Sequence, residues 1–502
     1  MFKEVVNGVA KNTSIMLFQQ VITWCASFLL MFFLARYLGP VEYGKVFLAG
    51  SIAFIFGIFV DYGSNYSIAK RVSRSPEDTG QILVDAVSFR FAFGLVALSG
   101  IVILSFGMDY PADVRILLLI MGLGFLWSGA ITSLRACYQG HELMQYTSVG
   151  TIAQQVLISF ASIVALVLGA KAVVIVVIGI VGSFLNFLVL AWFSKNIVKS
   201  LPRVSLRRAI QQVKEGAPYF LLVVFSGIYY RIGSVMLSKM APEVVVGWYG
   251  AAYRLFEALN FFPIIFSTAV YPVLSRLWKE EETTHRRTTH KSLELMVLTG
   301  IPITIGVLVF ADRFVHLFYG FSGYEPSVLV LRLLGTGLLF MFIDMILGTT
   351  LLASDRQRVQ SILALCAIPF NVGLNYFLIP FYQSHLGNGG LGLAIATVVT
   401  ELCIMIAMLA FVPRGILRGF RFAVLGKGLI AGLLMAGSIW LSRSMGLPWI
   451  IEAFVCTVVY VASLPLMKTF EPSELRFLRE LFTVRNLKHF RGLLRADRTS
   501  LA

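Results

Sequence analysis

Five arginines stand where an arginine is costly. Arg36, Arg90, Arg231, Arg254 and Arg332 lie within or at the ends of long apolar runs, and four acids, Asp61, Glu257, Asp344 and Glu401, do the same. At the centre of a bilayer an ionised side chain costs roughly 2.5–3.5 kcal/mol on insertion scales, so such groups turn toward a bundle interior or a water-filled cavity. A guanidinium stays charged at any physiological pH and presents a fork of donors matched to phosphate oxygens. The chemistry within reach is therefore the holding of an anionic headgroup in a hydrated lumen. Tyr230, beside Arg231, could stack on sugar rings, although Tyr229 and Tyr230 could equally be interfacial tyrosines. Asp61, Glu257, Asp344 and Glu401 could carry a coupling ion. They could also be packing partners: Arg254 and Glu257, three residues apart, share a helix face, and Arg332 is near enough to its helix end to snorkel. Asp61, Ser64 and Asn65 form one polar stripe, Asn371 and Asn375 another, and Thr13, Gln20 and Ser27 a third.

The elements that must position these groups follow from composition. The 502 residues are 58% hydrophobic and 14% charged, with a mean hydropathy of +0.82; a soluble chain carries about 25% charged residues. Too little polar side chain exists to wet a soluble surface, which disfavours a soluble enzyme, a disordered chain or a nucleic-acid binder. Apolar runs of about 20 residues, the length needed to span a bilayer, occur at 14–36, 46–69, 82–105, 114–136, 147–169 and 172–194. After a polar break at 195–214 they resume at 217–241, 247–274, 292–311, 327–352, 360–382 and 390–412, and a last pair falls at 424–443 and 447–467. The expected fold is an all-α polytopic membrane protein of about fourteen transmembrane helices. Tyr43-Gly44 and Tyr66 in the first half have counterparts in Tyr249-Gly250 and Tyr271 in the second, six helices later. An even offset implies parallel repeats about an axis along the membrane normal. The expected organisation is then a six-helix bundle at 1–213, a second at 214–423 related to it by a pseudo-two-fold axis around a central cavity, an extra helix pair at 424–467 and a basic cytoplasmic tail at 468–502.

The +16 net charge is distributed by side. With the N-terminus inside, 31 of the 42 Lys and Arg fall on the cytoplasmic side and seven on the other, the bias expected of a chain with both termini cytoplasmic in the cytoplasmic (inner) cell membrane. Arg231, Arg254 and Arg332 then lie in the outer half of the bilayer, Arg36 at the outer end of the first helix, and Asp61 and Asp344 nearer the inner half. Five cysteines lie in apolar runs with no CxxC spacing and read as small buried hydrophobes. His285 and His290 do not build a metal site, and no phosphate-binding loop or hydrolase motif appears. No cofactor or metal is expected, and outer loops of roughly 15–20 residues are short for a catalytic domain, so the chain is not read as an enzyme.

Lys11-Asn12-Thr13 and then Ala35-Arg36-Tyr37-Leu38-Gly39-Pro40-Val41-Glu42-Tyr43-Gly44 resemble the N-terminal signature of the polysaccharide-type lipid-linked oligosaccharide flippases, within the multidrug/oligosaccharidyl-lipid/polysaccharide exporter superfamily. Asp61-Tyr62-Gly63 with Arg71 fits the same pattern. So do Tyr230-Arg231-Ile232, Val246-Gly247-Trp248-Tyr249, Ala252-Tyr253-Arg254, Pro263, Tyr271-Pro272 and Ser275-Arg276. The resemblance covers both halves to about residue 415. It departs at Gly233, where the family often carries an acid, which weakens ion coupling at that spot. The resemblance implies two six-helix bundles in a V and movement of a polyprenyl-diphosphate-linked oligosaccharide from the cytoplasmic to the outer leaflet by alternating access, for cell-surface polysaccharide biosynthesis. The implied partners are the lipid bilayer and that glycan lipid, with a glycan polymerase or glycosyltransferases as further candidates; no nucleic acid is involved and a monomer is expected. A drug or cation antiporter and a peptidoglycan-precursor flippase of the same superfamily are the alternatives.

Overall fold

The computed structural model describes residues 2–198, 206–320, 323–413 and 415–470; the basic tail beyond residue 470 and the centre of the polar break, 199–205, lie outside them. The described residues form seventeen α-helices and no strand: α1 (Phe2–Asp61), α2 (Asn65–Arg74), α3 (Thr79–Gly107), α4 (Ala112–Leu123), α5 (Phe125–Gly140), α6 (Met144–Val167), α7 (Ala172–Ser194), α8 (Leu206–Met240), α9 (Glu243–Leu259), α10 (Phe261–Glu280), α11 (Glu282–Tyr319), α12 (Glu325–Thr336), α13 (Leu338–Ala353), α14 (Gln357–Leu386), α15 (Gly389–Phe411), α16 (Phe422–Ser444) and α17 (Trp449–Leu466). Helices satisfy every backbone polar group internally, which hydrocarbon demands.

By length and apolarity eleven of these stretches can cross a membrane, or twelve if α12 and α13, bent by 40°, count as one span. The expected count of about fourteen is not reached by this measure. One reason is that the first two expected spans are continuous in α1, which is broken only at Gly39 (φ 71°, ψ 168°) ahead of Pro40. A residue with a Cβ is strained at that φ, and Pro40 cannot continue the helical ladder, so the helix is kinked there.

Contacts group the chain into two compact units, Met1–Ser275 with Leu308–Pro413, and Arg276–Val307 with Arg414–Ala502. In the second unit α16 and α17 form a hairpin, the Tyr460 hydroxyl donates to the Leu298 carbonyl at 2.8 Å, and Arg443 lies 3.5 Å from the buried Glu452.

In the first unit, the face that carries the Gly39-Pro40 turn is interlocked. A Cβ built on Gly247 of α9 would sit 1.9 Å from the Pro40 carbonyl oxygen, and one on Gly44 would sit 2.6 Å from the Glu243 oxygen. Only glycine permits backbones to approach this closely. Around this crossing Lys45 bonds Glu42 (3.0 Å) and Asp113, and lies 3.6 Å from Glu243. The Tyr110 and Ser238 hydroxyls are 3.1 Å apart, and Tyr324 donates to the Ala35 carbonyl at 2.8 Å. Helices from both halves of the sequence, α1 and α4 with α8 and α9, thus meet on this face.

Candidate functional site

Arg231, on α8, and Arg254, on α9, converge on one carboxylate. Arg231 Nη2 donates to Glu257 Oε1 at 2.8 Å, and Arg254 Nη1 donates to Glu257 Oε2 at 2.9 Å. Arg254 and Glu257 meet because three residues along a helix return to the same face; Arg231 reaches them from the neighbouring helix. The guanidinium of Arg231 is also held between the rings of Phe54 (5.2 Å) and Tyr253 (5.4 Å), whose π-faces attract a cation. Two positive groups share one negative one, which leaves an excess positive charge. The side chain of Arg231 is only 12% exposed while that of Arg254 is 52% exposed, so the cluster is anchored at one end and open at the other. The buried Nε of Arg231 has no hydrogen-bond partner, a donor left over for a further acceptor.

Beside it, α8 presents Tyr230 and Ser234 to a small cavity, which Tyr229, Tyr253, Asn371 and Glu401 also line. Tyr230 is 44% exposed. The Tyr229 hydroxyl donates to Glu401 Oε1 at 2.8 Å, and Asn371 donates to Thr400 at 3.0 Å. Asp344 is buried beside Glu401. Tyr253 belongs to both places, with one contact on Arg231 and another on this cavity.

The remaining expected residues lie apart from this cluster. Arg36 is exposed on α1. Arg332, 44% exposed, is 3.9 Å from Asp312. Arg90 departs from expectation. In place of facing a lumen it is fully buried, its Nη1 bonding Thr132 (2.8 Å) and Ser133 (3.0 Å) and its Nη2 bonding the Asp61 carbonyl (3.2 Å), Ser64 (2.9 Å) and Asn65 (2.7 Å). The cause is the break at Tyr62 and Gly63 between α1 and α2, both at positive φ. That break frees backbone and polar side chains which a guanidinium is shaped to satisfy. Asp61 stands at the edge of this knot, 3.7 Å from Arg90 and 3.1 Å from Asn65. Three cysteines read as buried, Cys25, Cys366 and Cys403, are exposed on their helices.

Sequence reasoning missed Phe54, Tyr253 and the Tyr229–Glu401 bond. Tyr253 adjoins Arg254 and was within reach of a scan for aromatics next to charge. Phe54 carries no local signal, and Glu401, singled out as an acid in an apolar run, gave no sign of Tyr229 as its partner, because both partners come from other helices. Among the described residues no group of three or more His, Cys, Asp or Glu is arranged to hold a metal.

Residues 9–278, more than half of the chain, match the family of polysaccharide biosynthesis proteins. The chain belongs to that family. Residues 218–377 also match the MatE family. A similar protein is the probable low-salt glycan biosynthesis flippase Agl15 of Haloferax volcanii, 22% identical over 438 residues, which cover 85% of this chain and 89% of that one. The capsular polysaccharide biosynthesis protein CapF of Staphylococcus aureus is 23% identical over 226 residues, 45% of this chain and 51% of that one. Among solved structures, the lipid II flippase MurJ in an inward closed conformation shares the fold with a TM-score of 0.73 at 16% identity, covering 94% of this chain and all of that one. An inward-facing multidrug resistance transporter of the MOP superfamily does so with a TM-score of 0.63 at 16% identity, covering 78% and 94%. This family member is thus a multi-span membrane protein with the fold of the superfamily's flippases and transporters, and polysaccharide biosynthesis is its setting.

Proposed function

We propose that the chain carries a polyprenyl-diphosphate-linked oligosaccharide from the cytoplasmic to the outer leaflet by alternating access. The observation that carries this reading is the shared carboxylate: Arg231 and Arg254 divide one Glu257, and the excess positive charge sits at an accessible, aromatic-walled place inside an apolar bundle. A diphosphate and its sugars cannot cross hydrocarbon unaided, whereas a prenyl tail need never leave it. Arginine forks supply the charge-assisted hydrogen bonds that replace water around phosphate, and Tyr230 offers a ring to the sugars. Arg36 and Arg332, both exposed, extend the cationic path; Arg90 serves it indirectly by fixing the α1–α2 break.

The interlock of α1 and α4 with α8 and α9 lies on the face expected to be extracytoplasmic, so this conformation is closed on that face. The termini are cytoplasmic in this reading, and the moving parts are the two repeats, 1–213 and 214–423. Asp344 and Glu401 are the coupling carboxylates: two buried acids side by side inside an apolar bundle are placed to share a proton or a small cation. A glycan polymerase or glycosyltransferases, supplying or consuming the lipid-linked glycan, are the partners this role requires.

The test is reconstitution in proteoliposomes with a fluorescent polyprenyl-diphosphate sugar, monitored by reduction of the label left in the outer leaflet. Protein-dependent translocation of that lipid, with no translocation of an amphiphilic drug cation, is expected. The reverse selectivity overturns the reading in favour of a cation antiporter.

A further inference from the structure

We propose that Glu257 is a stand-in anion, an internal occupant of the diphosphate site that the lipid headgroup displaces on entry and that returns to expel it. The proposal rests on the reading of Arg231 and Arg254 as the headgroup site. Its basis is the way Glu257 is held. Its two oxygens are divided between guanidiniums from two different helices, at 2.8 and 2.9 Å, as two oxygens of a phosphate group are divided between two arginines. A carboxylate kept only to neutralise its i,i+3 neighbour would need Arg254 alone. Here it also spans to α8, and it leaves the buried Nε of Arg231 without an acceptor. A carboxylate has one negative charge and two oxygens for two guanidiniums. A diphosphate brings more charge and more oxygens, enough to take over both contacts and the free Nε.

Glu257 also has somewhere to go. Its side chain is 36% exposed, so once displaced it can be hydrated rather than stranded. With the headgroup bound, Glu257 lies beside a like charge, and the repulsion favours release once the path opens on the other side. A site of two bare guanidiniums would bind a diphosphate more tightly and let it go more slowly. Glu257 therefore sets affinity low enough for turnover, a positioning role exerted through the arginines.

The experiment measures binding of farnesyl diphosphate, a short polyprenyl diphosphate, to the full chain in nanodiscs, alongside translocation in proteoliposomes. Glu257→Gln keeps the shape of the side chain and removes its charge. Losing one charge-assisted competitor is expected to tighten probe binding by about ten- to a hundredfold while translocation slows. Glu257→Asp, which keeps the charge, returns affinity toward the wild-type value, and this separates displacement from a packing effect. Unchanged or weaker binding in Glu257→Gln, with binding still lost in Arg231→Ala, overturns the stand-in role and leaves the flippase reading in place. Equal binding by the wild type and Arg231→Ala overturns that reading, and the stand-in role with it.

Discussion

Gly247→Ala tests whether the crossing of α1 and α9 holds one face of the transporter shut. The new Cβ would lie 1.9 Å from the Pro40 carbonyl oxygen, 2.7 Å from its carbon and 3.1 Å from its Cα. All three are backbone atoms, so no rotamer change relieves the clash; the helices must part by about 1.1 Å merely to reach 3.0 Å, the closest approach real Cβ atoms show. Overpacking of this kind costs about 1–3 kcal/mol. A middle value of about 2 kcal/mol, applied only to the closed state, shifts the open–closed balance by about thirtyfold. The assay is the rate at which a membrane-impermeant maleimide modifies Ser238→Cys, in a chain whose five native cysteines are replaced. Ser238 meets Tyr110 across the same closure, and separation of the helices uncovers it. A rate raised by an order of magnitude or more in Gly247→Ala is expected. Gly50→Ala, on α1 with open space around its Cβ position, leaves the rate unchanged. Equal labelling in Gly247→Ala and the parent, in protein that remains folded, refutes the assignment of this crossing as a closure.

Two further outcomes are expected. Arg90→Ala removes a buried cation and leaves Ser64, Asn65, Thr132 and Ser133 without its donors. Each buried partner left unsatisfied costs about 1–3 kcal/mol, so thermal unfolding in detergent falls by several degrees. Arg90→Lys does not rescue it, because an ammonium cannot reach five acceptors; a near-native transition in either variant contradicts the knot. Asp344→Asn is expected to leave binding of farnesyl diphosphate intact and to abolish the response of translocation to imposed proton or sodium gradients. An unaltered gradient response rejects Asp344 as a coupling group.

What could be read from the sequence was what the bilayer dictates locally. Run lengths placed the helices, and the gap between the runs ending at 36 and starting at 46 contains the Gly39 kink of α1, because solvent thickness and backbone sterics act over a few residues. The i,i+3 spacing of Arg254 and Glu257 announced their contact for the same reason. Arg231, 26 residues from Glu257, joins them only through the packing of α8 on α9, which no local pattern encodes. Arg90 was misplaced because its burial depends on a helix break 26–29 residues upstream. That break, at Tyr62-Gly63, was visible as a motif, but the polar groups it frees were not assigned a partner. The count of about fourteen spans is not matched by the eleven or twelve found by length and apolarity among the described residues, where the stretches on either side of the Gly39 kink are taken as one.

The central claim is that paired guanidiniums grip a diphosphate on its way across the membrane. Initial rates of translocation of a labelled polyprenyl-diphosphate sugar, compared between wild-type proteoliposomes and those holding equal amounts of Arg231→Ala or Arg254→Ala, test it most directly. Each lost guanidinium removes charge-assisted hydrogen bonds of about 1.5–3 kcal/mol, so rates at limiting substrate are expected to fall by about ten- to a hundredfold. Translocation at the wild-type rate in both variants would contradict it.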